Sequence, residues 1–441
     1  MQSIYLLSLG CPKNLADSEN MLGFLEKEGY CITDQPEKAQ VIIVNTCGFI
    51  ESAKEESIEE TLQLAEYKKT GSCLALILAG CLGQRYAEEL LAEMPEVDAI
   101  TGAHAWPYIA SVVKRVLNKE RFIFLPKQAD VKETVPRKFL TSDCTAYLKI
   151  AEGCDNACSY CVIPQIRGPY VSKPMDVVIK EANKLAADGI KEIVLVAQDV
   201  TRYGEDFSGQ LLLPELLRAL CQIEKIKWVR ILYAYPQYIT DELIKTIADE
   251  DKICKYIDIP LQHASNSVLE RMNRRDNKAG IIKLLDKMRS KIPSLCIRTT
   301  FIVGFPGETE VEFEELLEFV KAQKFDRAGV FSYSKEEGTV AAQMQQVDEK
   351  VKEERYNELV ALQAQISEQI NISLEGRLFT AIVDGKQEDD ATVAFVRSYR
   401  EAPEIDGVIY LEDAQQLQKG DFVKVKIEQG FTYDLLAEII D

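Results

Sequence analysis

Apolar runs and amphipathic stretches alternate along the first third of the chain. The apolar runs read IYLLSLGC, VIIVNTC and CLALILAGC, and helical periodicity lies between them, around residues 18–28 and 54–68. Alternation of strands and helices is typical of a parallel sheet covered by helices. We therefore predict an α/β fold whose first domain, residues 1–118, is a doubly wound parallel sheet.

A second region follows a stretch with little periodicity. Residues 119–139 mix charged side chains with Pro126 and Pro136, which is typical of a connector between folded units. The six strand-like runs after it alternate with helical stretches and predict an open (β/α)6 partial TIM barrel over residues 140–372, with an active site at the carboxyl ends of the strands. The runs are AYLKIAEGC, EIVLVAQD, WVRILYAYP, YIDIPLQH, CIRTTFIVGFPG and RAGVFSYS.

The last part of the chain combines one long helix with short strands. Residues 348–373 have the apolar spacing of an amphipathic helix that trails the barrel. Residues 373–441 contain short alternating runs separated by turn residues, which predict a small antiparallel β-barrel. The apolar positions of the helix are Leu359, Leu362, Ile366 and Ile370, and the strand-like runs are LFTAIVDG, TVAFVRS, GVIYLED and DFVKVKIEQG.

Composition is that of a globular protein outside the membrane. No stretch approaches the ~18 unbroken apolar residues of a membrane span, and the N-terminus lacks the basic segment and cleavage pattern of a signal peptide. We therefore expect a cytoplasmic protein. Because thiols stay reduced in the cytosol, its 12 cysteines favour metal or cluster ligation over disulfides.

The charge balance bears on the partner. The net charge is −19, and residues 373–441 hold seven Lys or Arg against 15 Asp or Glu, a net charge of −8. Binding to nucleic acid draws on Lys and Arg, so direct nucleic-acid binding is not expected to be the main function. A basic protein partner fits better.

Three cysteines in one loop carry the most specific chemistry. Cys154, Cys158 and Cys161 have C-x3-C-x2-C spacing directly after a predicted strand. A 4Fe-4S cluster usually takes four thiolates, so three leave one iron free to bind S-adenosylmethionine for radical chemistry. The alternative is a structural zinc site, but zinc motifs normally include a second Cys or His pair downstream.

A second set is dispersed along the chain. Cys11, Cys47 and Cys81 each end an apolar run, in SLGC, VNTC and LAGC. The carboxyl ends of parallel strands share one edge of a sheet, so the three thiolates are expected to meet there and to hold a second iron-sulfur cluster. The alternative is three buried core cysteines.

Other polar residues at predicted strand ends or next to the cysteine loop form a candidate S-adenosylmethionine pocket. No catalytic residue is assigned beyond the cysteines. His263 and Glu308 are expected to line the barrel mouth, and a structural role explains His263 equally well. The remaining cysteines share no spacing and are interpreted as packing residues. The pocket candidates are Tyr160, Arg167, Gln198, Gln262 and Gly304, and the packing cysteines are Cys31, Cys73, Cys144, Cys221, Cys254 and Cys296.

With both cysteine sets, the whole chain resembles the methylthiotransferases of the radical S-adenosylmethionine superfamily. Within them it is similar to the branch that modifies ribosomal protein S-twelve. The resemblance implies an auxiliary-cluster domain over 1–118, a radical core with trailing helix over 140–372 and a TRAM domain over 373–441. The motifs that carry it are SLGCPKN, VNTCGFI, GCLGQRY, AEGCDNACSYCVIPQIRG, VAQDVTRYGED, DIPLQHAS and RTTFIVGFPGETE.

The resemblance also implies an activity and its requirements. A methylthio group would replace a hydrogen on the β-carbon of an aspartate of the ribosomal protein, alone or within the small ribosomal subunit. Two 4Fe-4S clusters and S-adenosylmethionine would be needed, with a second S-adenosylmethionine supplying the methyl group. An electron donor and a sulfur donor would be further partners.

Three other functions compete with this interpretation, and one of them is a ribosome-binding factor without activity, in which the barrels only dock. A tRNA adenosine methylthiotransferase would use the same chemistry, and a basic face on the last barrel, if present, would favour this function. A noncatalytic iron-sulfur protein, such as an electron carrier, would need no S-adenosylmethionine pocket. The polar residues at the strand ends argue against the noncatalytic protein.

Overall fold

The computed structural model describes residues 2–129, 135–140, 144–387, 389–390 and 392–440. The chain forms two compact units, and the predicted region 140–372 is divided between them. Within the described residues, no helix is both long and apolar enough to cross a membrane. One unit comprises Met1–Thr141, Ala151–Glu181 and Ser334–Thr339, and the other comprises Ser142–Ile150, Ala182–Tyr333 and Val340–Asp441.

The N-terminal sheet has six strands that all run parallel, as predicted. The strands are Ser3–Ser8 (β1), Cys31–Ile32 (β2), Val41–Thr46 (β3), Ala75–Gly80 (β4), Ala99–Thr101 (β5) and Phe122–Phe124 (β6). Their order is β2-β1-β3-β4-β5-β6, so the chain winds outward in both directions from β1 and β3. Strand β6 lies inside the predicted connector, of which residues 130–134 are outside the described residues.

Helices cover both faces of this sheet, which makes it doubly wound. The helices are Pro12–Lys27 (α1), Glu51–Ala65 (α2), Tyr67–Thr70 (α3), Cys81–Glu93 (α4) and Ile109–Leu117 (α5). Leu22 of α1 and Val112 of α5 belong to one core, and Leu64 of α2 and Leu90 of α4 belong to the other. The first helix begins at Pro12 rather than around residue 18, because proline suits the first turn of a helix.

Eight strands follow in the middle of the chain. They are Thr145–Lys149 (β7), Ala151–Glu152 (β8), Val171–Ser172 (β9), Glu192–Val196 (β10), Trp228–Ile231 (β11), Ile253–Gln262 (β12), Cys296–Val303 (β13) and Arg327–Ser332 (β14). Strands β8 and β9 pair with each other. The other six form one parallel sheet in the order β14-β13-β12-β11-β10-β7. These six correspond to the six predicted runs, and the (β/α)6 partial barrel is confirmed.

The long predicted helix is the last of nine helices in the described part of this region. The nine are Ile163–Arg167 (α6), Met175–Ala187 (α7), Glu205–Ser208 (α8), Leu213–Cys221 (α9), Asp241–Asp249 (α10), Asn266–Arg271 (α11), Lys278–Lys291 (α12), Glu310–Gln323 (α13) and Glu349–Ile372 (α14). Helix α14 buries Leu359 and Ile366, as the apolar spacing predicts, and it also buries Arg355 and Gln363. The inner face of α14 is therefore partly polar. Single 3₁₀ turns lie at Pro36–Lys38, Trp106–Tyr108, Pro236–Tyr238 and Ala341–Gln343.

The C-terminal strands close into a small barrel around Val383, Val396 and Val425. The order β15-β16-β17-β19-β18 closes on itself. The predicted pairing needs one correction, because β17 and β19 run parallel while the other neighbours are antiparallel. The strands are Leu378–Lys386 (β15), Ala394–Ser398 (β16), Ile409–Leu411 (β17), Phe422–Gly430 (β18) and Leu435–Ile439 (β19).

Candidate active site

The first cysteine set lies at the carboxyl ends of three adjacent strands. Cys11 follows β1 and precedes α1, Cys47 follows β3, and Cys81 follows β4 as the first residue of α4. The direction of winding changes between β1 and β3. Open parallel sheets bind ligands in the crevice at such a switch point. Helices rather than loops begin at Cys11 and Cys81, and a helix N-terminus favours a thiolate.

Gly10 lets Cys47 approach the turn before Cys11. Gly10 has a φ of +85°, a conformation that L side chains rarely adopt. A Cβ at this position would lie 2.7 Å from the Cys47 Cβ and 3.1 Å from its Sγ. Because these distances are too short for a side chain, only glycine allows the two turns to pack together.

The three thiols are close enough to influence one another's ionisation. Burial, together with the charges of Cys11 and Cys81, raises the pKa of Cys47 to about 12. Burial also raises the pKa of Cys81, although Arg167 opposes it. At Cys11, burial is outweighed by the charges of Lys13 and Arg167 and by backbone N–H groups, so the pKa is lowered. Because the thiolate is the ligand, Cys11 is the thiol of this set most ready to bind metal.

Arg167 extends into this set. Its side chain is buried at the end of α6. Nη1 lies 2.9 Å from Asp17 Oδ2 and 3.1 Å from Glu152 Oε1. Nη2 donates to Asn14 Oδ1 at 2.5 Å and to Cys81 Sγ at 3.3 Å. A guanidinium between two carboxylates and a thiol is thus part of the first set's surroundings.

The second set lies in the loop between β8 and α6. The Cys161 N–H donates to the Cys158 carbonyl at 3.1 Å, and the Cys154 N–H donates to the Gly168 carbonyl at 3.1 Å. The Ile163 N–H lies 3.5 Å from Cys161 Sγ. Burial, reinforced by the charges of Cys158 and Cys154, raises the pKa of Cys161. The three thiols of this loop are therefore close enough for Cys154 and Cys158 to affect the ionisation of Cys161.

The two cysteine sets are neighbours within one compact unit. Cys81 of the first set shares an apolar cluster with Val162, the residue after Cys161, and with Ile166. Phe49, two residues after Cys47, packs against the same cluster. Apolar side chains thus separate the sets while keeping them adjacent.

The donor chemistry of both sets fits iron-sulfur clusters. Each set offers three thiols, which leaves one iron of a four-iron cluster open. An N–H group also points at a sulfur in each set, and cluster sulfurs commonly accept such hydrogen bonds. In the part of the chain that the structure describes, no three His, Cys, Asp or Glu side chains form a ready site for a single metal ion.

The pocket candidates fall into two groups. Gln198 follows β10, Gln262 ends β12, and Gly304 follows β13, so all three lie at carboxyl ends of the central sheet. Tyr160 lies half-buried within the second cysteine loop. Arg167 contacts the first cysteine set, as described above. Binding of S-adenosylmethionine by these five residues stays a prediction.

Sequence reasoning missed the residue that holds the loop after β13. Arg355 of α14 donates from Nη1 to the Glu308 carbonyl oxygen at 3.1 Å and to Glu308 Oε1 at 2.9 Å, and Nη2 lies 3.0 Å from Glu310 Oε2. The other Glu308 oxygen lies 3.6 Å from His263 Nε2. A Cβ on Gly304 would collide with the Lys352 side chain. The first half of α14 therefore clamps residues 304–310.

Asn14 and Asp17 were also missed. Both are polar yet buried, at 1% and 2% exposure, in the helix that follows Cys11. Their spacing of three places them on one face of α1. A polar stripe in an otherwise buried helix beside a candidate ligand is a signal that sequence analysis could have used.

Three family models match successive parts of the chain. Uncharacterized protein family UPF0004 matches residues 3–102, the Radical SAM superfamily matches residues 148–320, and the TRAM domain matches residues 376–440. Members of the second family use a 4Fe-4S cluster with S-adenosylmethionine, so one such cluster is implied here. The last match agrees with the closed five-stranded barrel.

Solved structures support the fold alone. The radical S-adenosylmethionine methyltransferase TsrM from Kitasatospora setae superposes with a TM-score of 0.53 at 13% identity, over 75% of each chain. The cobalamin-dependent S-adenosylmethionine radical enzyme OxsB superposes with a TM-score of 0.50 at 12% identity, over 84% of this chain and 56% of that one.

Curated relatives extend over the full length. A protein of Pelotomaculum thermopropionicum is 50% identical over 99% of both chains, and one of Acetivibrio thermocellus is 48% identical over 100% of this chain and 99% of its own. A relative from Desulforamulus reducens is 49% identical over 100% of both chains. Each is named ribosomal protein uS12 methylthiotransferase RimO. Identity at this level over whole chains shows that the protein belongs to the RimO family of methylthiotransferase enzymes.

Proposed function

We propose that this enzyme attaches a methylthio group to the β-carbon of an aspartate side chain in ribosomal protein uS12. The observation that carries the proposal is the 48–50% identity, over essentially the whole chain, with relatives named for that activity. Two sets of three thiols in one compact unit support it, because methylthio transfer needs both a radical source and a sulfur site.

Cys154, Cys158 and Cys161 are the proposed ligands of the radical cluster. When bound, a 4Fe-4S cluster of this kind reduces S-adenosylmethionine and thereby supplies a radical strong enough to break an aspartate C–H bond. The chain's own contribution is to hold three thiolates in one tight loop and to withhold a fourth ligand. The apolar cluster of Val162 and Ile166 shields one side of this loop from water.

Cys11, Cys47 and Cys81 are the proposed ligands of the auxiliary cluster, beside which the sulfur for transfer is held. In the overall reaction, a C–H bond of the aspartate is broken and a C–S bond is formed. The hydrogen leaves as part of 5'-deoxyadenosine, formed with methionine when one S-adenosylmethionine takes up an electron. A second S-adenosylmethionine supplies the methyl group and leaves as S-adenosylhomocysteine, and joining the aspartate radical to the methylthiolate releases one electron. The sulfur donor and the electron donor are separate partners.

We propose that Gln198, Gln262 and Gly304, at the carboxyl ends of the central strands, bind S-adenosylmethionine. The sequence also assigns Tyr160 of the cysteine loop and Arg167 of α6 to this function. Arg355 supports it by clamping the loop that contains Gly304 and Glu308. A clamped loop loses less conformational freedom when a ligand binds, which favours affinity.

Charge supports a basic protein as substrate. The chain carries −19 overall and −8 within residues 373–441, so it attracts a basic ribosomal protein and repels nucleic acid. This favours uS12 over tRNA as the substrate. We also propose a cytoplasmic location, where ribosomes are modified, and the domain limits 1–118, 140–372 and 373–441.

The test is anaerobic reconstitution followed by reaction. The protein is loaded with iron and sulfide, the iron is counted, and purified uS12 is incubated with it, S-adenosylmethionine and a reductant. We expect about eight irons per chain and a gain of one methylthio group in the intact mass of uS12. An unchanged uS12 mass with modification of tRNA instead would refute the substrate.

Cysteine variants test the ligand assignment. Replacing Cys154, Cys158 and Cys161 with Ala, or Cys11, Cys47 and Cys81 with Ala, is expected to remove about four irons in each case and to abolish transfer. Cys73→Ala is the matched control, since Cys73 is a buried cysteine just before β4 whose thiol donates to the Ala75 carbonyl at 3.3 Å. Equal iron in all three proteins would contradict the assignment.

A further inference from the structure

Arg167 links the second cysteine loop to the first cysteine set. It lies six residues after Cys161 in the chain, and its side chain is only 3% exposed. Its Nη2 reaches Cys81 Sγ at 3.3 Å, within the range of an N–H···S hydrogen bond. A residue that follows one set in sequence therefore donates to a thiol of the other.

The position of the guanidinium is fixed by neutral contacts. Asn14 Nδ2 donates to the Leu9 carbonyl at 3.1 Å and to the Thr46 carbonyl at 2.9 Å. Both donors of the amide are thus occupied, and Asn14 Oδ1 has to face Arg167 Nη2 at 2.5 Å. Since the strand-end carbonyls orient Asn14, and Asn14 orients the guanidinium, Nη2 is held against Cys81.

Two carboxylates fix the other side of the guanidinium. Arg167 Nη1 lies 2.9 Å from Asp17 and 3.1 Å from Glu152. Asp17 is itself 2% exposed, and a buried carboxylate needs a partner. Arginine suits this place because its rigid fork serves the carboxylates with one nitrogen and the thiol with the other.

We infer that Arg167 is a positioning residue of the auxiliary site, where it donates an N–H···S hydrogen bond to Cys81 and raises the reduction potential of a cluster bound there. Reduction adds negative charge to a cluster, and hydrogen bonds to sulfur and nearby positive charge stabilise that state. The inference rests on the proposed auxiliary cluster. It differs from the predicted role of Arg167 in the S-adenosylmethionine pocket.

The test isolates the auxiliary cluster in the full-length chain. Replacing Cys154, Cys158 and Cys161 with Ala leaves one set, and the midpoint potential is measured by a redox titration followed by electron paramagnetic resonance. In this background Arg167→Gln is expected to shift the potential to a more negative value. Arg167→Lys keeps the charge but not the fork, so its shift is expected to be smaller.

A double variant separates the hydrogen bond from the charge. Arg167→Gln with Asp17→Asn restores the net charge and leaves no unpaired Asp17 carboxylate, so it also folds if the single variant does not. We expect its potential to stay below that of the background, because the N–H···S bond is still lost. Arg137→Gln is the matched control, since Arg137 is equally buried but pairs with Glu19.

The outcomes distinguish the inference from the function on which it rests. The inference would be overturned if the background protein binds about four irons and the double variant, Arg167→Lys and Arg137→Gln all have the same midpoint potential. That outcome would leave the auxiliary cluster in place. A background protein that binds no iron would refute the auxiliary cluster itself, and the inference with it. A negative shift confined to the Arg167 variants supports both.

Discussion

A buried charge network joins the central sheet to the C-terminal barrel within one compact unit. Glu192 of β10 is fully buried. Its two oxygens lie 2.8 Å from Arg230 Nε of β11 and 2.7 Å from Arg397 Nη2 of β16. Thr145 of β7 donates to Glu192 at 3.1 Å. Glu192→Gln would keep the shape of the side chain and remove its charge, leaving two buried arginines without that partner.

Two estimates of the folding stability that Glu192→Gln would remove agree in size. Removing one partner of a buried ion pair costs about 3–5 kcal/mol. Burial alone would raise the pKa of Glu192, but Arg397 and Arg230 outweigh it and lower the pKa from 4.5 to about 2. At ~1.4 kcal/mol per pKa unit, the lowering corresponds to roughly 3 kcal/mol of stability at neutral pH. We therefore expect Glu192→Gln to destabilise this unit by about 3–5 kcal/mol.

Tryptophan fluorescence can report on this contact. Trp228 of β11 packs edge-on against Phe422 of the C-terminal barrel, with ring centroids 5.0 Å apart. The chain has two tryptophans, so a Trp106→Phe background makes Trp228 the sole reporter. Urea titrations in this background compare Glu192→Gln with Glu438→Gln. Glu438 belongs to an exposed pair with Lys426, and its loss is expected to cost less than ~1 kcal/mol.

The pH dependence supplies the refuting measurement. Because the pKa of Glu192 is lowered on folding, its contribution is complete above pH 4.5 and is lost as the pH falls toward about 2. The difference in unfolding free energy between the parent protein and Glu192→Gln should therefore be constant from about pH 6 to 8, well above the ordinary pKa of a carboxyl. It should become smaller below about pH 4.5. Equal urea midpoints for Glu192→Gln and Glu438→Gln at neutral pH would refute the reasoning.

Two further variants bear on the sites directly. Gly10→Ala is expected to remove about four of eight irons, because the added Cβ would displace Cys47. Gly29→Ala is the control, since Gly29 has a similar φ and no atom lies within 4 Å of the added Cβ, and it should retain the irons. Equal iron counts in the two variants would contradict the packing argument. Arg355→Gln frees Glu308 and should weaken S-adenosylmethionine binding about tenfold, or ~1.4 kcal/mol, by calorimetry. Arg289 of α12 donates to Gln323 at the opposite end of α13, so Arg289→Gln should leave the affinity unchanged. Equal affinities of the two variants would contradict the proposed clamp.

Much of the fold was predictable because its signals are local. The strands β3 and β4 are entirely buried and appear as apolar runs, and β7 and β10 of the central sheet are also buried throughout. Strand β6 was not recognised, since a strand of three half-buried residues leaves no periodicity to detect. The parallel pairing of β17 with β19 was equally hidden, because strand direction in a barrel is set by connections that a run of residues does not encode.

The cysteines were recognisable for a similar reason. A thiol at the end of an apolar run is visible in the sequence, and three such ends share one edge of a parallel sheet. The charged side chains around these cysteines were not predictable in this way. Arg167 meets Asp17 across 150 positions and Cys81 across 86, and Arg397 meets Glu192 across 205. No spacing links such pairs, so only the folded chain reveals them.

These long-range contacts also give the two cysteine sets different surroundings. Both sets offer three thiols, and ligand count alone would make them equivalent. One difference in the structure is the donor at the sulfur: the Arg167 guanidinium donates to Cys81, whereas the backbone N–H of Ile163 donates to Cys161. Hydrogen bonding and local charge set cluster potentials, so a chain can hold two like clusters at different potentials by placing one arginine. The inference about Arg167 therefore predicts a higher potential for a cluster held by Cys11, Cys47 and Cys81 than ligand count alone would give.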